Sequence, residues 1–224
     1  MNYWQILLFY TFLCFTGLPY VSGYLAMKEG KAMVEIIKKQ KNFHPEFNPD
    51  FIMVDGEGTL HKRKFGLASY VGIITGTPTI SVTKYSYVFM NKEEFAYRRQ
   101  EIRKAHSDKV RRTMTKSGDF MEIYHPSDNK VYGYALKTSK SANCINISIG
   151  HNISLLKAKT VTLRTCINKI PEPIKQADLC SRKSILDAIK MDKMLDGSEF
   201  WGIECSEIFG IYSKFIFPSV IPSI

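Results

Sequence analysis

The run "FIMVDGEGTLHKRKFGLASYVGIITGTPTISVTK", Phe51 to Lys84, confines this chain more than any other. Phe51 to Val54 is a short, wholly apolar strand with Asp55 at its carboxyl end, and "PTISVTK" is a second buried strand that ends on Lys84. Between them "FGLASYVGIITG" reads as a helix whose small residues allow it to pack closely on a sheet. Strands alternating with helices predict an α/β fold with a mixed, largely parallel sheet flanked by helices. In such sheets ligands sit beyond the carboxyl ends of the strands. Asp55, Lys84 and His151 all stand at strand ends, so a shared site is expected there. The Gly-x-Gly after Asp55 has two explanations. A metal ion and a phosphate come close to the backbone, or an ordinary strand-to-helix turn happens to begin with Asp.

The rest of the chain extends this pattern. "YLAMKEGKAMVEIIKKQK" (24–41) puts Leu25, Ala32, Met33, Ile36 and Ile37 on one helical stripe with lysines opposite. "FMEIYHP" and "VYGYALKTS" read as strands joined by the turn "SDNK", and "CINISIGH" as another strand. "SLLKAKTVTLRTCI" is a helix capped by Ser154, and "IPEPIKQADLCSRKSILDAIKMDKML" is a proline-punctuated helix. The tail from Trp201 is apolar without a clean period and predicts no particular element. These boundaries divide the chain into an apolar segment 1–18, a domain 19–192 and a tail 193–224.

With 31 Lys and Arg against 21 Asp and Glu, the chain carries +10, a balance that favours polyanionic partners. The window from Lys84 to Lys116 holds ten basic and four acidic residues, interleaved with Tyr85, Tyr87, Phe89, Phe95 and Tyr97. Such a mixture suits phosphates and stacked bases. A solvated helix face with pairs such as Glu94 and Arg98 is the plainer alternative. Five cysteines without a C-x-x-C spacing fit neither a disulfide framework nor a zinc site, and predict reduced thiols in an intracellular protein. The apolar run Ile6–Phe15 is too short to span a bilayer. It has the length of a signal-peptide core without a basic leader, and it serves equally as a strand.

Four ordered blocks, "PYVSGYLAMKEG", "VDGEGTLHKRKFGLASYVGIITGTPTISVTK", "ISIGHNISL" and "IPEPIKQAD", closely resemble the endonuclease V family over roughly Pro19 to Lys190. The resemblance implies a ribonuclease H-like fold that cuts nucleic acid beside deaminated bases, above all inosine. It implies Mg²⁺, with Mn²⁺ as a substitute, held by Asp55 and Glu29; cutting a phosphodiester requires such hard carboxylate ligands. Without it, Asp55 is also a turn-initiating residue and Glu29 a surface acid beside Lys28. Lys84 is implied as a phosphate or water contact, and otherwise is a surface lysine ending a strand. His151 is implied as a neighbour of the metal, and otherwise caps the helix that follows. His61 is implied as a contact to the phosphate backbone. Pro19, Tyr20 and Val21 match the wedge that opens the strand, and Leu25, Gly56 and Gly66 the lining of the base pocket.

One departure bears on activity. The family pattern places a further catalytic aspartate on a first strand upstream of the wedge, whereas Met1 to Lys28 contains no acid. The expectation is a fold whose first core strand is missing or replaced, with "WQILLFYTF" available to fill the gap, and an impaired metal site. A metal-dependent endonuclease acting near inosine in single-stranded RNA or DNA is the first function. A catalytically inactive inosine-binding module is the second. The animal-like blocks favour RNA. Cytoplasm or nucleus is the expected location, with a secretory route from the apolar N-terminus as the minor alternative; no obligate protein partner or membrane is implied.

Overall fold

In the computed structural model, which describes residues 9–13, 21, 23–84, 108–109, 112–125, 128–139, 143–194 and 208–212, the stripe of Ala32, Met33, Ile36 and Ile37 turns inward on helix α1 (Leu25–Phe43). Its lysines remain outside. Gln40 is buried at the end of α1, where its amide donates to the carbonyls of His44 (3.2 Å) and Phe47 (2.8 Å) and so holds the turn Pro45–Phe47. Lys41 donates to the Thr75 carbonyl (2.9 Å) and to Thr77 Oγ1 (2.7 Å), which ties this end of α1 to the segment leading into the second strand of the sheet.

The constraining run folds as strand β2 (Ile52–Asp55), helix α2 (Leu67–Thr75) and strand β3 (Thr79–Thr83). β2 and β3 pair in parallel, from Ile52 opposite Thr79 to Asp55 opposite Val82. The helix crosses between them because parallel neighbours need such a connection. Gly72 lets α2 lie against the sheet, since a Cβ there would meet Thr79 Oγ1 and His151 Cβ at 2.3 Å. Met33, Ile36, Ile37, Ile52, Val54, Leu67, Ala68 and Val71 form one core on this face.

Strands β4 (Phe120–Tyr124) and β5 (Val131–Leu136) form the expected hairpin, with Asn129 in the left-handed region at φ 53. β6 (Ile145–His151) completes a sheet of order β2-β3-β6-β5-β4. Helices α3 (Leu155–Thr165) and α4 (Glu172–Met194) follow. Ser154 caps α3 by accepting from the Lys157 amide at 3.2 Å. Ala158 of α3 and Ile174 of α4 pack on Ile80, Val82, Leu136, Ile145 and Ile147, the second core, on the opposite face. The mixed, helix-flanked sheet is therefore present, but largely parallel it is not. Only β2 and β3 run in parallel, while β6, β5 and β4 are all antiparallel to their neighbours. The reason is local: helix α2 carries the chain across between β2 and β3, which parallel neighbours need, whereas β4 and β5 are joined by the short connection 125–130.

The N-terminal apolar segment does not enter this sheet. Strand β1 (Phe9–Leu13) pairs antiparallel with β7 (Ile208–Tyr212), from Phe9 opposite Tyr212 to Leu13 opposite Ile208. The two form a separate ribbon against α1 and α4. Each strand gives the other the backbone partners it needs, and β2 stays at the edge of the larger sheet. Among the described residues, Cys144, Cys166 and Cys180 are thiols rather than disulfides. Among the described residues no helix is long and apolar enough to cross a membrane.

Ile147 is fully buried in β6 between β3 and β5. Ile147→Ala is expected to lower the unfolding free energy by about 2–5 kcal/mol, read from urea denaturation followed by circular dichroism. A loss no larger than that from the exposed Leu156→Ala would contradict this placing.

Candidate active site

Parallel pairing brings Asp55, at the end of β2, and Lys84, one residue past β3, to the same end of the sheet. Asp55 keeps an open surface to solvent, yet protein packed around it pushes its carboxyl above the ordinary aspartate range. The open surface is what a ligand needs. The Lys84 cation draws the carboxyl back down, and the charge of Asp178 on α4 pushes it up.

Asp178 is a charged residue beside Asp55 that the sequence motifs did not single out. It stands inside the block "IPEPIKQAD", four residues after Ile174, which is buried against the sheet. That spacing puts both on one side of a helix, a signal carried by the sequence itself. Asp178 Oδ1 accepts from Arg182 Nε at 3.0 Å. Lys169, just before α4, belongs to the same neighbourhood: burial holds its ammonium down, and Lys84 adds to that effect.

His151 does not join this group. β6 runs antiparallel to β3, so its carboxyl end lies beside Thr79, at the amino end of β3. Ile147 is level with Val82 and Asp55, and His151 is four residues further on, about 13 Å along the strand at ~3.3 Å per residue. There it packs over Gly72 of α2. A strand's carboxyl end marks the ligand side only while the strands run the same way.

The loop 56–66 explains its glycines by packing. A Cβ on Gly58 would lie 2.2 Å from the Ile149 carbonyl oxygen of β6. The Thr59 amide donates to that same oxygen at 2.8 Å. Gly66 closes the loop: its amide donates to the Gly58 carbonyl at 3.1 Å, and a Cβ there would stand 2.1 Å from the Glu57 carbonyl. Gly56 is buried against Leu67. The space these glycines leave is taken by the protein's own chain, which is the turn explanation rather than the ligand one.

His61 is also placed differently from the expectation of a phosphate contact. It is buried at 4% exposure, its Nδ1 accepts from the Arg63 amide at 3.1 Å, and its Nε2 lies 3.1 Å from the Gly23 carbonyl. With Nδ1 accepting, the neutral ring carries its proton on Nε2 and donates to Gly23. Burial pushes the ring below the ordinary histidine range, which keeps it neutral. Both nitrogens are used within the protein.

Glu29 lies in the second turn of α1. The other end of α1 is bonded to Thr75 and Thr77 beside the amino end of β3, so its first half points toward the end that carries Asp55. At the next residue, Gly30, a Cβ would meet the Tyr70 ring at 2.6 Å, which marks close contact between α1 and α2. Leu25 is half-buried against the core, and Val21 is exposed. Pro19 and Tyr20 lie outside the described residues, as does most of the basic window 85–116.

Two hard oxygen donors, Asp55 and Asp178, thus repel each other at one end of the sheet, with Glu29 carried on the helix that points there. Carboxylates are the hard donors a divalent cation takes, and one bound between Asp55 and Asp178 would offset the repulsion. Among the described residues, no three His, Cys, Asp or Glu side chains converge as a complete metal cluster.

A mixed five-stranded sheet with helices on both faces, and acids and lysines gathered at one sheet end, defines an α/β fold with a charged site at its strand ends. The Endonuclease V family model matches residues 4–179. Human Endonuclease V is 36% identical over 168 residues, 75% of this chain and 56% of that protein. Mouse Endonuclease V is 35% identical, covering 75% of this chain and 47% of its own. The crystal structure of the catalytic domain of human Endonuclease V superposes with a TM-score of 0.68 at 32% identity, covering 78% of this chain and 68% of that one. An aspartate-to-asparagine variant of Ciona intestinalis Endonuclease V, in complex with a 23mer DNA containing an inosine followed by a ribo-adenosine, gives 0.65 at 31% identity, covering 77% and 68%. The chain belongs to the Endonuclease V family. It spans about half the length of the curated human and mouse relatives.

The raised carboxyl of Asp55 has a measurable consequence. The fold favours the neutral acid, so stability is lost as pH rises through the folded-state value and Asp55 ionises. Asp55→Asn, neutral and of the same shape, is expected to raise the metal-free Tm at pH 7, with a smaller gain at pH 4. Scanning calorimetry in EDTA measures this, and an equal or lower Tm at pH 7 would count against the burial of the charge.

Proposed function

We propose that the chain is a metal-dependent endonuclease that cleaves a phosphodiester near inosine in single-stranded RNA or DNA. The observation that carries this reading is the meeting of Asp55 with Asp178 and Lys84 at one sheet end, in a chain of the Endonuclease V family. Asp55, Asp178 and Glu29 would hold Mg²⁺, or Mn²⁺ in its place. When bound, the ion activates water and neutralises charge on the phosphate. Lys84 stands beside Asp55 as a point charge for a phosphate oxygen. Lys169 adds a second cation near it. Pro19, Tyr20 and Val21 would open the strand next to the base, with Leu25, Gly56 and Gly66 beside the extruded base. RNA is the preferred substrate in this reading, supported by the animal-like blocks "PYVSG", "RKFGLAS" and "IPEPIKQADLCSR". Action in the cytoplasm or nucleus goes with that substrate.

A second reading is an inactive inosine-binding module. An end-labelled, inosine-containing single-stranded RNA incubated with the chain and Mg²⁺ separates the two. Cleavage near inosine is expected, falling at least a hundredfold in Asp55→Ala, since metal ligands act on the chemical step; Lys84→Ala should fall about ten- to a hundredfold. Inosine-dependent binding without cleavage supports the module instead. Cleavage that ignores inosine, or that survives Asp55→Ala, overturns the assignment.

A further inference from the structure

The contacts of residues 61–63 with the start of α1 go beyond what phosphate binding or metal ligation asks of them. His61 Nε2 donates to the Gly23 carbonyl at 3.1 Å, and the Arg63 Nη2 donates to the same oxygen. The Arg63 guanidinium also lies over the Tyr24 ring, 4.2 Å from its centroid. Lys62 closes the third side, with its Cε 3.2 Å from where a Gly23 Cβ would be. Gly23 itself sits at φ +81, a conformation that other residues adopt only under strain. The Tyr24 amide completes the turn by donating to the Val21 carbonyl at 2.9 Å. His61 and Arg63 of the Asp55 loop thus hold one carbonyl, and Arg63 also holds the ring after it.

We infer that His61 and Arg63 are positioning residues: they lock the start of α1 to the Asp55 loop, and so hold the exposed Val21 and Tyr24 in place beside the site. Two features separate this from simple packing. The loop is itself anchored on β6 through Thr59 and Gly58, so the lock refers α1 to the sheet rather than to another surface segment. Second, Val21 and Tyr24 are exposed at 43% and 44%, so the locked turn presents apolar surface outward instead of burying it. That surface is where a base would lie, and His61 governs selectivity through it without touching substrate. The selectivity part rests on the inosine reading above; the lock does not.

Two variants divide the two bonds of the imidazole. His61→Gln can still reach Gly23 with a side-chain N–H, whereas His61→Asn is too short and keeps only the acceptor for the Arg63 amide. Hydrogen exchange of the purified chain in EDTA reads the lock directly: exchange of the Tyr24 amide should rise about tenfold in His61→Asn, the scale of one lost hydrogen bond, and stay near wild type in His61→Gln. Fluorescence anisotropy with matched inosine- and adenosine-containing RNA reads selectivity. The inosine-to-adenosine binding ratio should fall about tenfold in His61→Asn and be retained in His61→Gln. Equal exchange in the two variants overturns the lock, whether both lose it or both keep it. A lock confirmed by exchange with an unchanged binding ratio overturns its role in selectivity. If the wild-type chain shows no inosine preference, the proposed function fails, and exchange alone decides the lock.

Discussion

The pairing of β3 governs this structure. One side of β3 meets β2 in parallel and the other meets β6 antiparallel. A buried strand must satisfy its backbone on both sides, so these two pairings are not optional, and together they decide which strand ends are neighbours. The parallel side puts Asp55 and Lys84 together. The antiparallel side sends His151 to the far end, where its role is to pack over Gly72.

The loop 56–66 depends on the same sheet. Its glycines are required by the approach of Gly58 to the Ile149 carbonyl and of Gly66 to Glu57. Once seated, the loop holds Asp55 at its base and grips the start of α1 through His61 and Arg63. α4 arrives from the opposite face, packed by Ile174, and delivers Asp178 to the Asp55 end. Acid and cation therefore come from separate elements whose positions are set by apolar packing. This allows like charges to be held close at an energetic cost that a bound cation would relieve.

Much of the architecture was legible in the residues. The stripe of Ala32, Met33, Ile36 and Ile37, the hairpin turn at Asn129, the Ser154 cap and the apolar strand before Asp55 each carry a local signal. The family likeness rests on ordered blocks of residues and is complete at that level. Other features were illegible for identifiable reasons. Antiparallel pairing of β6 leaves no mark on "CINISIGH", because a buried strand reads the same in either direction. His61 resembles a surface histidine beside two cations until Gly23, 38 residues earlier, is folded onto it. The partner of "FYTFL" lies roughly two hundred residues away, in a tail with no periodicity of its own.

By itself the sequence determined the elements, their amphipathic faces, the family and two charged residues that meet at the sheet end, Asp55 and Lys84. These follow from short-range rules: period, capping, turn chemistry and motif order. Tertiary structure alone decided strand direction, the exclusion of His151, the use of His61 as an internal tie and the arrival of Asp178 beside Asp55. Each of these depends on which distant backbone groups meet, and a chain's local preferences are silent on that until burial and hydrogen bonding are satisfied together.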